Sequence, residues 1–77
     1  MSTVERPLTT RQQQVLWFLA QGYDLEMIAR ALCVERATVK SHVARLFDVF
    51  GAKNRAHLVA LAYERGDLEQ GMVAMLV

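Results

Sequence analysis

The sequence predicts an all-α domain of four short helices, with a fifth short helix at the C-terminus. Three observations carry that prediction. Apolar residues recur three and four positions apart, as one buried helix face requires. Residues that cap helix starts (Thr9, Asp24, Asn54) alternate along the chain with glycines that end helices (Gly22, Gly51, Gly66). No stretch shows the apolar–polar alternation of a strand, and there is no repeat or low-complexity tract.

Taken in order, residues 1–7 are expected to be a mobile lead-in, residues 8–66 the folded domain, and residues 67–77 a tail or short helix. Thr9 with Gln12 three positions on fits a capping box, in which each side chain satisfies the other's backbone N–H. Val15, Leu16 and Leu19 supply the first apolar stripe, and Gly22 stops the helix after Gln21. Asp24 caps a second helix through Leu32, with Ile28, Ala29 and Leu32 inward, and Cys33 and Val34 form a turn in which Cys33 is expected to be buried. A third helix is predicted from about Glu35 to Phe50, with Val39, Val43, Leu46, Phe47 and Phe50 inward and Gly51 as its stop. Asn54 caps a fourth helix of about a dozen residues, its apolar side Leu58, Val59, Leu61 and Ala62, ending at Gly66. Asp67 is expected to cap a last short helix carrying Leu68, Met72, Met75 and Leu76.

The composition narrows the function. With 77 residues, 53% of them hydrophobic and 22% charged, the chain belongs with small folded domains. The single Cys33 excludes an internal disulfide, and no Cys/His grouping has zinc-ligand spacing. Neither a signal peptide nor a run of ~20 apolar residues is present, so a cytoplasmic, reduced protein is expected. No nucleophile is paired with a base and no glycine loop could cradle a phosphate, so neither catalysis nor a cofactor or small-molecule ligand is expected. The net charge is +1, but it is unevenly distributed. Between Arg30 and His57, six cations (Arg30, Arg36, Lys40, Arg45, Lys53, Arg55) face two anions (Glu35, Asp48). Both ends are acidic. A basic middle fits a polyanion partner as well as it fits a solvated helix face.

The second helix, the turn and the third helix together follow a helix-turn-helix plan. With Val39, Val43, Leu46 and Phe47 inward, the outer side of the third helix carries Arg36, Ala37, Lys40, Ser41, Ala44 and Arg45. The small residues allow close approach to a major groove about 12 Å wide, while the cations reach base edges or phosphates. Arg30, Lys53, Asn54 and Arg55 stand at neighbouring helix ends, where phosphate contacts are usual.

In order and spacing, Leu8-Thr9-x-Arg11-Gln12, Val15-Leu16, Leu19-Ala20-x-Gly22, Ile28-Ala29-x-x-Leu32, Thr38-Val39-Lys40-x-His42-Val43 and Asn54-Arg55-Ala56 resemble the LuxR/GerE-type DNA-binding domain. The resemblance spans about Leu8 to Ala62. It implies a four-helix domain whose third helix reads duplex DNA and whose fourth pairs two copies on a two-fold site. Carried over, it implies major-groove contacts from Lys40, Ser41 and Ala44, with Thr38 and His42 near the backbone. It also implies phosphate contacts from Lys53, Asn54 and Arg55, and a dimer seam near Leu58, Leu61, Ala62 and Arg65. The chain departs from the family pattern at Gln12, Glu35, Ala44 and Val49, where Glu, Ser, Lys and Lys are usual.

Leu25, Met27 and Trp17 are apolar where relatives are usually polar, and with Met72 and Met75 they form a candidate partner surface. The expected function is therefore a transcription regulator of a bacterium or phage, binding duplex DNA as a homodimer. Its rival is a helix-turn-helix interaction module that binds another regulator, a sigma factor or RNA polymerase. The run Thr38–Ser41 also occurs in the DNA-reading region of sigma factors, but Gly51–Ala62 fits the LuxR/GerE type better. Because the resemblance begins near residue 8, no receiver or ligand-sensing domain is expected ahead of it if the chain is the whole protein. Of the remaining single residues, His42 fits either a backbone contact or a packed histidine, and His57 a surface position. Packing is the simpler expectation for Trp17.

Overall fold

The computed structural model describes residues 8–68, and among them every regular element is a helix: α1 (Thr10–Ala20), α2 (Leu25–Leu32), α3 (Arg36–Phe50) and α4 (Arg55–Arg65). Their starts follow from local hydrogen-bond chemistry. Thr9 Oγ1 accepts the Gln12 N–H at 3.1 Å while the Thr9 N–H donates to Gln12 Oε1 at 3.0 Å, which closes the expected capping box. Asp24 Oδ1 accepts the Met27 N–H at 2.9 Å at the head of α2. Asn54 Oδ1 accepts the His57 N–H at 2.9 Å at the head of α4. Each such cap is worth ~1 kcal/mol. Glu35 stands at the N-cap of α3 and makes no side-chain cap bond, so α3 begins at Arg36 and lacks the help its neighbours receive.

The helix ends also differ from one another. Gly22, Gly51 and Gly66 lie at φ +91°, +64° and +90°, as left-handed C-terminal turns require. α2 ends on Cys33 at φ 56°, a left-handed residue that carries a Cβ. Its N–H bonds back to Arg30 O at 3.3 Å, and Val34 N–H bonds to Ala29 O at 3.0 Å. Cys33 is exposed, contrary to the expectation that it is buried: in this turn Val34, not Cys33, packs against the core.

α3 packs against each of the other three helices, and α4 also lies against α1. One core results: Val15, Leu16, Leu19, Ile28, Ala29, Val39, Leu46, Leu58, Ala62 and Leu68. Leu32, Val43, Phe47, Phe50 and Val59, expected inward, are half-buried and flank it. Leu68 reaches 2% exposure because the chain folds back over α4, with Asp67 N–H donating to Ala62 O at 2.9 Å. The rest of the expected fifth helix, with Met72, Met75 and Leu76, lies outside the described residues. None of the helices is long and apolar enough to cross a membrane among those residues.

Candidate nucleic-acid interface

The burial of Val39 and Leu46 decides which way α3 faces. At 3.6 residues per turn, the side opposite them carries Ala37, Ser41 and Ala44, three small side chains in line. All three are exposed. Arg36 and Lys40 border this strip toward α2, and Thr38 and Arg45 border it on the far side; these four are exposed as well. His42 is half-buried at the margin. A smooth, narrow ridge between two cationic edges is the shape a helix needs to enter a major groove while its long side chains reach either wall.

Around this ridge, Arg30 ends α2 on the exposed surface and contacts Glu26 at 3.5 Å, an exposed pair one helical turn apart and therefore weak. Lys53 and Asn54 are exposed in the loop between α3 and α4. Arg55 has a different position from the one expected. Its Nε donates to Leu19 O at 3.0 Å and its Nη2 to Tyr23 O, so its guanidinium is fastened to the end of α1 and the turn beyond. The reason is physical: the last turn of α1 contains no cation of its own, and Arg55 supplies the positive charge that its carbonyls favour.

His57 was missed as a structural residue. It is half-buried, and its Nδ1 accepts the Lys53 N–H at 3.0 Å while its own N–H bonds Asn54, so Asn54 and His57 close the head of α4 together. The signal was present as Asn54-x-x-His57, a cap residue followed three positions later by an acceptor.

The expected dimer seam is corrected at Leu58 and Ala62. Leu58 and Ala62 are 0% exposed, since α4 must turn its i, i+4 stripe inward to complete the core of so small a domain. Leu61 and Arg65 are half-buried, and the Arg65 guanidinium is 4.6 Å from the centre of the Phe50 ring with its Nε 2.7 Å from Asp67 Oδ2. The outward side of α4 is instead Ala56, Ala60 and Tyr63, with Tyr63 48% exposed.

Of the candidate partner residues, Trp17 lies on α1, Leu25 and Met27 lie on α2, and Met72 and Met75 lie outside the described residues. Trp17 is half-buried, edge-on to Phe18 at 5.3 Å between centroids, and Phe18 in turn meets Tyr23 at 4.8 Å. Met27 is 43% exposed on α2. Leu25 borders α3, in a depression of about 320 Å³ that it shares with Arg36, Ala37 and Lys40.

Residues 6–62 match the family model for bacterial regulatory proteins of the luxR family. The chain belongs to the luxR family. This luxR-family domain is 32% identical over 62 residues to the uncharacterized transcriptional regulatory protein YvfU of Bacillus subtilis, covering 80% of the chain and 31% of that relative. Among solved structures it is similar to Vibrio cholerae VqmA, a LuxR-type receptor with a target DNA, whose dimer was solved in the absence of that DNA. The identity is 36% and the TM-score 0.73, covering 79% of the chain and 28% of VqmA. It is also similar to ChrA, the response regulator of a heme-sensing two-component system, with 26% identity and a TM-score of 0.79 over 88% of the chain and 34% of ChrA. The luxR-family domain thus spans about a third of the length of these relatives. The family is one of transcription regulators and not a class of enzymes.

Proposed function

We propose that this luxR-family domain regulates transcription by binding duplex DNA sequence-specifically, as a homodimer, with α3 in the major groove. The observation that supports this reading is the exposed strip Ala37–Ser41–Ala44 between the cations Arg36 and Lys40 on one edge and Arg45 on the other. In this reading α2 braces across the phosphate backbone, and Lys40, Ser41 and Ala44 meet base edges. Thr38, His42, Arg30, Lys53 and Asn54 approach sugar and phosphate. Arg55 positions α1 against α4 and leaves the phosphates to its neighbours. The second copy packs on the outer side of α4, along Ala56, Ala60 and Tyr63. VqmA, a similar protein that forms a dimer and has a target DNA, supports both halves of the proposal.

Selection of binding sites from a random duplex library, repeated at low and moderate salt, tests it. A two-fold-related motif bound with steeply salt-dependent affinity is expected. A second reading, docking on another regulator, a sigma factor or RNA polymerase, is favoured by exposed Met27 on α2. Failure to enrich any motif would transfer the function to that surface.

A further inference from the structure

We infer that Leu25 and Ala37 form a seat for the 5-methyl group of a thymine, so that the first residue of α2 determines sequence specificity. The inference rests on the DNA-binding reading above and adds a base to it. Leu25 is held in place from two directions. Its helix is pinned by the Asp24 cap, Oδ1 to Met27 N–H 2.9 Å, and its side chain is half-buried against the core. Part of the exposed surface of Leu25 lines the depression of about 320 Å³ whose other lining residues are Arg36, Ala37 and Lys40. The site therefore pairs a small apolar floor, the Leu25 isobutyl group and the Ala37 methyl, with a guanidinium and an ammonium that make most of its exposed lining polar.

The chemistry of that floor selects its occupant. A base edge with donors would lose its water over Leu25 and Ala37 and find no side-chain acceptor among the lining residues, while acceptor edges are served by Arg36 and Lys40 to either side. A phosphate would meet Arg36 and Lys40 but gain nothing from the apolar floor. In the major groove the apolar group a base pair offers is the thymine C5-methyl, and alanine is among its usual contacts. With the methyl seated, Arg36 and Lys40 extend past it to neighbouring base edges or phosphates. Ala37 lies on the ridge centre and Leu25 at the ridge edge, so the thymine occupies the end of the half-site read by the first turn of α3.

The experiment uses the full chain and a synthetic duplex carrying its selected operator, with each thymine replaced singly by deoxyuridine, which removes only the methyl. One replacement per half-site is expected to weaken binding about fourfold, the value of one buried methyl-sized group. In Leu25→Asn the thymine and deoxyuridine duplexes should bind equally, with helicity and melting temperature measured on the same sample. If that variant does not fold, Ala37→Ser reads the same seat from α3, and its discrimination should shrink as well. The inference is overturned if no deoxyuridine replacement matters, or if the methyl effect persists undiminished in the folded variants. A chain that selects no DNA motif at all overturns the DNA-binding reading and this inference with it, a result distinct from selective binding without a methyl effect.

Discussion

Lys40 and Arg55 are both exposed cations in the basic middle of the chain, and they differ in the bonds they make. No described residue is paired with Lys40 in a hydrogen bond or ion pair, while Arg55 bonds the carbonyls of Leu19 and Tyr23. Lys40→Ala is expected to weaken specific binding by about 1–3 kcal/mol, with nonspecific affinity falling far less, as measured by fluorescence anisotropy on operator and scrambled duplexes. Lys53→Ala should lower the salt-dependence slope by about one unit, as loss of one phosphate contact does. Arg55→Ala should instead leave the slope unchanged and lower the stability of the free protein by about 1 kcal/mol, because one carbonyl at the end of α1 and one in the turn beyond it lose a charged donor. A reduced slope in Arg55→Ala would return that residue to the phosphate contacts. Sequence distinguished these cations poorly. Spacing shows where a cation stands along a helix, but not that a carbonyl lies within reach from a residue more than thirty positions away.

At the level of elements, α3 is the helix with the weakest start and α2 the one with the most strained end. Glu35 offers no cap bond and places an anion beside the first turn of the reading helix. Glu35→Ser is expected to raise stability by a few tenths of a kcal/mol, since the cap bond gained, ~1 kcal/mol, outweighs the charge–dipole attraction lost, and to tighten DNA binding, read from urea denaturation and anisotropy on the same sample. Cys33 holds a left-handed conformation at φ 56° that glycine adopts without cost, so Cys33→Gly should be stabilising by about 1 kcal/mol; a destabilised variant would refute that account of the turn. Element positions were legible in the sequence because their signals are local. Thr9-x-x-Gln12, Asp24, Asn54 and the three stop glycines all lie within four residues of the bonds they make. The exposure of Cys33 was not legible, since it depends on Val34 turning inward against helices distant in sequence.

For the whole molecule, the decisive fact is that one small core takes up the inward face of every helix, which leaves the ridge of α3 and the outer side of α4 as separate surfaces. Leu58 and Ala62 belong to that core, so Leu58→Asp should unfold the chain and not merely separate two copies, because an unpaired charge would be buried. Tyr63→Asp, on the outer side, should give a folded monomer by light scattering and circular dichroism; a dimer of unchanged mass would move the interface off α4. Which face of α4 is buried could not be read from its apolar residues alone. Leu58, Val59, Leu61 and Ala62 span about 160° of its circumference while Ala56, Ala60 and Tyr63 occupy the other side, and only packing against α1 and α3 selects among them. The outward face of α3 was more legible, since Val39 and Leu46 leave α3 a single way to turn.

The most direct test of the central claim, that the Ala37–Ser41–Ala44 ridge enters DNA, is an amide chemical-shift map of the full chain titrated with its selected operator duplex. The largest changes are expected from Arg36 to Arg45, with smaller ones at Arg30, Lys53 and Asn54. Changes concentrated around Trp17 and Met27, with α3 silent, would contradict it.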